Sequence, residues 1–302
     1  MRYRFCLVLL ALVGSAGDAI SQTTGQTDEP QTVRFSTKLD LVLLNATVRD
    51  RKGWFVSDLT QPEFEVFEDR VPQTITLFRH EDIAVTVGLV VDHSSSMGPK
   101  LPEVIAAART FVASSRADDR MFVVNFNETV TLESSDEPSQ LAQAILSRPT
   151  MGRTALYDAV SRAVEQLQAG GPHKKVLIII SDGGDNASKI KLEAVLNALE
   201  RSSVLVYTVG VFDEADPDGN KAVLTRLAHV SGGEAFFPKE LTDVVSICER
   251  IARDIRNQYT VGYVSSNAVR PGLFRSIRLV VRAPGMGQLE VRTRTGYIAG
   301  TP

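Results

Sequence analysis

Between Ile83 and Gln258 the chain alternates strand-length apolar runs with longer stretches whose apolar residues recur at helical spacing. The runs are IAVTVGLVVD, RMFVVNFN with VTLES, KKVLIIISD, SVLVYTVGV and EAFFP; LPEVIAAARTFVASS, PSQLAQAILSR, TALYDAVSRAVEQLQ, KLEAVLNALERS and KAVLTRLAHVSGG lie between them. A run such as Val176 to Ile180 has no polar alternation, so its strand must be covered on both faces. That demands a mostly parallel sheet with helices on either side. The expected fold over residues 83–258 is therefore a doubly wound α/β domain. Its last helix is predicted from Leu241 to Gln258, with Val244, Ile247, Cys248, Ile251 and Ile255 on one face.

Strand patterns without helices flank this region, over residues 32–82 and 259–302. They are broken by the turn signals Asp50 to Gly53, Gln61-Pro62, Asp69 to Pro72, Pro271-Gly272 and Pro284-Gly285. The two flanks are expected to pair into one small β-sandwich-like module with the α/β domain inserted in it. Asn45-Ala46-Thr47 fits a glycosylation sequon but falls in a predicted strand, which gives it little weight.

Residues 1–21 place Arg2 and Arg4 before the apolar stretch Phe5 to Val13, then small residues from Ala16 to Ser21. This order is that of a secretory signal, and the apolar core is too short to anchor in a bilayer. A polar linker, residues 22–31, follows. The expected location is secreted or periplasmic, with no membrane span after signal removal. Cys6 lies in the signal, so Cys248 would be left as a lone thiol on an apolar helix face, a small buried hydrophobe. With a net charge of −3 and a pI near 5.9, no basic excess points to nucleic acid or an anionic membrane surface.

In a doubly wound sheet, ligands bind at the carboxyl ends of the strands. Asp92 in LVVDHSSSMG and Asp182 in IIISDGGDN both stand at such ends. Ser94 and Ser96 follow Asp92 at alternate positions, and Thr154 in MGRTALYDAV precedes a helix. Carboxylates and hydroxyls are hard donors, and a set with few charges suits Mg²⁺ or Mn²⁺ rather than Zn²⁺; Ca²⁺ stays open for a looser site.

Asp92-x-Ser94-x-Ser96, then Thr154, then Asp182, on three loops in this order, resemble the metal-ion-dependent adhesion site of von Willebrand factor A-type domains. The resemblance covers roughly Ile83 to Gln258. It implies that Ser94 and Ser96 ligate a divalent cation directly, and that Asp92, Thr154 and Asp182 do so directly or through water. An acidic side chain of a protein partner would complete the shell, making the chain a non-enzymatic binding module for adhesion or protein–protein interaction. Arg153 replaces the small residue usual before the threonine, where it either crowds or recruits an acidic ligand. His93 lies among the ligands, within a partner's reach, and its imidazole is expected to face solvent. The flanking phrases NATVRDRKGWFVSDLTQPEFEVFED and VRTRTGYI also resemble a bacterial family of secreted von Willebrand factor A-related proteins.

Plainer readings compete. Ser94 to Ser96 and Thr154 are good helix caps, and Asp182 with Gly183-Gly184 is a good strand-to-helix turn. Asp185 and Asn186 stand close enough to support the site residues but read first as solvated loop residues, and Asp213 to Asn220 as a loop lacking a full calcium-binding pattern. His80, His173 and His229 have no zinc-ligand spacing, and Gly-x-Ser-x-Gly is absent. A magnesium-dependent phosphatase of the haloacid-dehalogenase type shares the strand-end aspartate and an acidic loop like SDGGDN. It needs a second acid two residues after the nucleophile, where this chain has Ser94. A scaffold domain whose metal only stabilises the fold is the third reading.

Overall fold

The computed structural model describes residues 41–80, 83–135, 137–146, 148–171, 173–212, 219–267 and 271–300; the predicted signal, the linker and the acidic residues 213–218 lie outside them. In chain order the first strands are β1 (Leu41–Arg49), β2 (Phe64–Glu68), β3 (Val71–Gln73) and β4 (Ile75–Arg79). The α/β part follows with β5 (Val85–Asp92), α1 (Leu101–Ala113), β6 (Arg120–Phe126), β7 (Val130–Ser134), α2 (Pro138–Leu146) and α3 (Leu156–Ala169). It continues with β8 (Lys174–Ser181), α4 (Leu192–Arg201), β9 (Leu205–Gly210), α5 (Lys221–Ser231), β10 (Ala235–Phe236) and α6 (Asp243–Arg256). The last strands are β11 (Tyr259–Val264), β12 (Phe274–Val281), β13 (Glu290–Arg292) and β14 (Gly296–Ile298).

Among the described residues, six strands form one sheet in the order β10-β9-β8-β5-β6-β7. All neighbours are parallel except β6 and β7. Side chains of one parity, such as Val87, Leu89, Val91, Ile178 and Ile180, pack under α1, α2 and α6. Those of the other parity, such as Val90, Leu177 and Ile179, pack under α3, α4 and α5. This two-sided burial is the reason the strands lack polar alternation. From β5 the chain first moves to β6 and β7, then returns to lay β8 on β5's other side. The carboxyl ends of β5 and β8 thus flank the topological switch point.

The flanking strands form two four-stranded sheets, β13-β1-β11-β4 and β14-β12-β2-β3. Leu44, Val48, Tyr259, Val261 and Tyr263 of the first sheet share a core with Phe64, Val66, Ile277 and Leu279 of the second. Each sheet contains strands from both ends of the sequence, so the sandwich is closed by the two flanks together. Glu68, fully buried, ties the sheets. It accepts hydrogen bonds from the hydroxyls of Tyr263 (2.8 Å), Tyr297 (2.9 Å) and Ser265 (2.6 Å) and from Asn267 Nδ2 (2.8 Å).

The chain passes from sandwich to α/β domain between β4 and β5 and returns between α6 and β11. Both crossings lie at the amino ends of the parallel strands: Lys174, the first residue of β8, donates its ammonium to the Ile255 carbonyl near the end of α6 (2.7 Å). The eight residues of β5 put the switch-point rim roughly 23 Å away at the other end. Charged side chains seal this junction. Arg49 of β1 and Arg292 of β13 both reach Asp254 of α6 and Glu234 just before β10. Arg49 lies 3.1 Å from Glu234, Arg292 lies 3.4 Å from Asp254, and Arg250 adds a third cation 3.0 Å from Glu234. Arg49–Asp254 and Arg292–Glu234 are closer still. Burial pushes the Asp254 carboxyl up despite its two guanidiniums, whereas the three arginines hold Glu234 below its ordinary value.

Two predicted boundaries shift. EAFFP supplies only a two-residue strand, and the last helix runs from Asp243 to Arg256 rather than from Leu241 to Gln258. Gln258 instead turns inward, its amide donating to Thr47 Oγ1 (3.0 Å) and Tyr207 OH (3.2 Å). Thr47, the third residue of the sequon, is buried. Cys248 is buried as expected, and burial pushes its thiol up to about 12.

Candidate metal centre

The last residue of β5 is Asp92, whose side chain is fully buried. One carboxylate oxygen accepts the Ser94 N–H (2.8 Å), which folds the chain back at once and turns Ser94 and Ser96 to the same side. The other accepts the Ser181 hydroxyl (2.6 Å), and that hydroxyl accepts the Gly183 N–H (3.0 Å). Ser94 Oγ lies 3.2 Å from Ser96 Oγ, and Ser96 Oγ donates to Asp182 Oδ2 (2.6 Å). Four of the five predicted residues are therefore joined by direct contacts around one point at the switch-point rim.

The serines are not serving as helix caps. Residues Ser95–Lys100 form a 3-10 turn ahead of α1, and Ser94 at its N-cap makes no side-chain capping hydrogen bond. Thr154 does not cap α3 either; Ala155 holds that position. Thr154 is brought to the rim by its backbone: its N–H donates to Asn186 Oδ1 (2.9 Å), and its carbonyl accepts the N–H groups of Asn186 and Ala187 (both 3.0 Å). Asp185 accepts the Tyr157 N–H (2.9 Å) in the first turn of α3 and the Ser188 hydroxyl (2.5 Å). Asp185 and Asn186 are thus not idle solvated residues, as the sequence suggested. They fasten the Thr154 loop to the Asp182 loop.

His93 also departs from expectation. Its imidazole is only 2% exposed and lies 3.0 Å from Asn125 Oδ1, beneath the loop rather than in solvent. A partner cannot reach it. The reason is local: Asp92 and Ser94 face the rim, so the residue between them points back toward β6, whose end it meets through its N–H to the Phe126 carbonyl (2.7 Å). Arg153, by contrast, is exposed beside Thr154.

Two residues that the sequence did not single out complete the frame. Ser181 orients Asp92, its signal being a hydroxyl residue at the end of an otherwise apolar strand. Lys100 is a buried ammonium that donates to the Val211 carbonyl (3.1 Å), tying the serine loop to the end of β9. Gly183 has φ +80°, and a Cβ there would lie 2.5 Å from the Asn220 carbonyl oxygen, so the Asp182 loop closes only with glycine.

Burial pushes Asp92 up to about 6, against the pull of its hydrogen bonds from Ser181 and Ser94, and the neighbouring Asp182 charge adds to the rise. Two adjacent, poorly solvated carboxylates call for a cation. Among the described residues no three His, Cys, Asp or Glu side chains converge for a metal, so a cation at this rim would depend on hydroxyl oxygens as much as on carboxylates. Such a donor set fits a hard divalent ion. The phosphatase arrangement finds no support at this rim, because the position two residues after Asp92, where its second acid belongs, holds Ser94.

Fold and rim together define a doubly wound α/β domain with a cluster of carboxylate and hydroxyl oxygens at its switch point. A family model, von Willebrand factor type A domain, matches residues 86–250, and the chain belongs to this family of protein-interaction modules. Inter-alpha-trypsin inhibitor heavy chain H2 of Mus musculus is 26% identical over 191 residues, 57% of this chain and 20% of that protein. Its Homo sapiens counterpart is 24% identical over 214 residues, 65% of this chain and 21% of that protein. The chain thus spans about a fifth of the length of these curated relatives.

Solved structures share the fold at low identity. A von Willebrand factor type A protein from Catenulispora acidiphila has a TM-score of 0.50 at 11% identity, covering 86% of this chain and 75% of that one. Proximal thread matrix protein 1 of the mussel byssus, with a zinc-occupied MIDAS motif, has a TM-score of 0.51 at 17% identity, covering 64% and 50%. The von Willebrand factor domain of the pilus tip protein Mfa5 from Porphyromonas gingivalis has a TM-score of 0.51 at 14% identity, covering 63% and 99%. Among the described residues no helix is long and apolar enough to cross a membrane.

Proposed function

We propose that the chain is a non-catalytic, cation-dependent protein-binding module working outside the cytoplasm. Asp92, Ser94, Ser96, Thr154 and Asp182 hold Mg²⁺ or Mn²⁺, with Ca²⁺ as the third candidate. The ion supplies a local positive charge that the chain's net charge of −3 does not, and a carboxylate of the partner protein completes its shell. Arg153, exposed next to Thr154, meets the partner beside that carboxylate. The observation that carries this reading is the joined set of Asp92, Ser94, Ser96 and Asp182 at the switch point. The extracytoplasmic location rests on the order of charge, apolar core and small residues in 1–21.

Calorimetric titration of the purified chain with Mn²⁺ and with Mg²⁺ tests the proposal. Saturable uptake is expected, and Asp92→Ala and Ser96→Ala should abolish it while keeping the wild-type circular dichroism. A wild-type chain that takes up neither ion refutes it.

A further inference from the structure

Resting on that reading, the structure points to the kind of partner. We infer that the acidic residue taken by the cation site carries an apolar neighbour, and that Met151 receives it.

Met151 is 55% exposed, and among the described residues it is the one large apolar side chain so exposed on the loops that carry the site. Its place is fixed by main-chain bonds. Its N–H donates to the carbonyl of His93 (2.9 Å), the residue between Asp92 and Ser94. The next carbonyl, that of Gly152, accepts both the Ser95 N–H (3.2 Å) and the Ser95 hydroxyl (3.1 Å). Gly152 has φ +76°, and a Cβ there would lie 3.0 Å from Glu128 Oε2, so the turn keeps this path only with glycine. The Met151 backbone is thereby fastened to the residue between two proposed ligands, while its side chain stands exposed.

Charge decides between an apolar neighbour and a second acid. The Glu128 carboxylate lies against Gly152 and accepts the Arg153 N–H (3.5 Å), so this flank carries an anion as well as the Arg153 cation. The contact is to the Arg153 main chain, and the two formal charges on this flank sum to zero, so it offers a second carboxylate no net charge. The thioether remains, a flexible and polarisable surface that accepts aliphatic and aromatic groups of differing shape. The partner feature is therefore an exposed Asp or Glu next to a Leu-, Met- or Phe-like side chain, read without strict shape selection.

The test uses fluorescent heptapeptides with a central Asp whose neighbours are Gly, Leu, Phe or a second Asp, followed by polarisation in Mg²⁺ up to millimolar protein. Leu or Phe should tighten binding about fivefold over Gly, the effect of partly burying one such side chain. Met151→Ser should erase this ranking and Met151→Leu should keep it, with metal uptake titrated on each variant. Equal binding of all peptides, preference for the second Asp, or a ranking unchanged in Met151→Ser overturns the inference and leaves the cation site standing. Failure of every peptide to bind a metal-loaded chain overturns the inference and the acidic-partner reading together. Failure of the wild-type chain to take up metal removes the proposed function on which both depend.

Discussion

Asp254→Asn keeps the shape of a side chain while removing its charge, and so isolates the ionic junction between α6 and the sandwich. Asp254 is fully buried, and both Arg49 and Arg292 converge on it. Deleting one charge of a buried pair costs about 3–5 kcal/mol when its partner is stranded. Here both guanidiniums keep Glu234, and burial already works against the Asp254 charge, so the expected loss is about 2–3 kcal/mol. For a unit of this size that lowers Tm by about 5–10 °C. Thermal and urea unfolding followed by circular dichroism measure it. The wild type should melt in one transition, because the junction welds the sandwich to the α/β domain; the variant should begin to separate into two. Arg49→Met/Asp254→Leu should recover much of the loss, since apolar replacement of a buried pair is close to neutral. If Asp254→Asn stays within about 0.5 kcal/mol of wild type, the junction is not a stabilising contact and the reasoning fails.

Two other predictions concern titrating groups. Four neutral donors hold the Glu68 carboxyl below its ordinary value, so its contribution to stability is present above the unfolded pKa of about 4.3 and is lost as pH falls through the lower folded value. Glu68→Gln should remove that acid-side dependence from urea midpoints measured between neutral and acidic pH; an unchanged slope would count against the tie between sheets. The Cys248 thiol should be silent to a thiol reagent in the native chain and react fully in denaturant, with rapid native labelling as the contrary result.

The features legible in the sequence were those that repeat or that a strand end announces. Apolar runs without alternation reported the two-sided sheet, and Asp92 and Asp182 were readable because each ends such a run. What escaped was set by side-chain direction or by distance along the chain. His93 looked like a loop residue open to solvent, yet alternation at the end of β5 sends it under the loop to Asn125. Asp185 and Asn186 looked like turn filler, because the backbone groups they bind, those of Tyr157 and Thr154, lie on another loop. Arg49 and Asp254 stand 205 positions apart, and nothing local in NATVRD or VRTRTGYI announces that their arginines close one buried cluster. Glu68 likewise reads as one acid among several until the sheets bring Tyr263 and Tyr297 to it.

The two crossings between sandwich and α/β domain bear on how the molecule carries load. β4 and β11 are antiparallel neighbours, so the end of one and the start of the other lie side by side. Tension applied at the switch-point rim runs down the parallel sheet and pulls both strands in the same direction. It does not slide them past each other. The strain passes to the next ladder, where β11 pairs with β1 from Leu41↔Val264 to Ala46↔Tyr259, and is resisted there in shear, with hydrogen bonds loaded together rather than unzipped one by one.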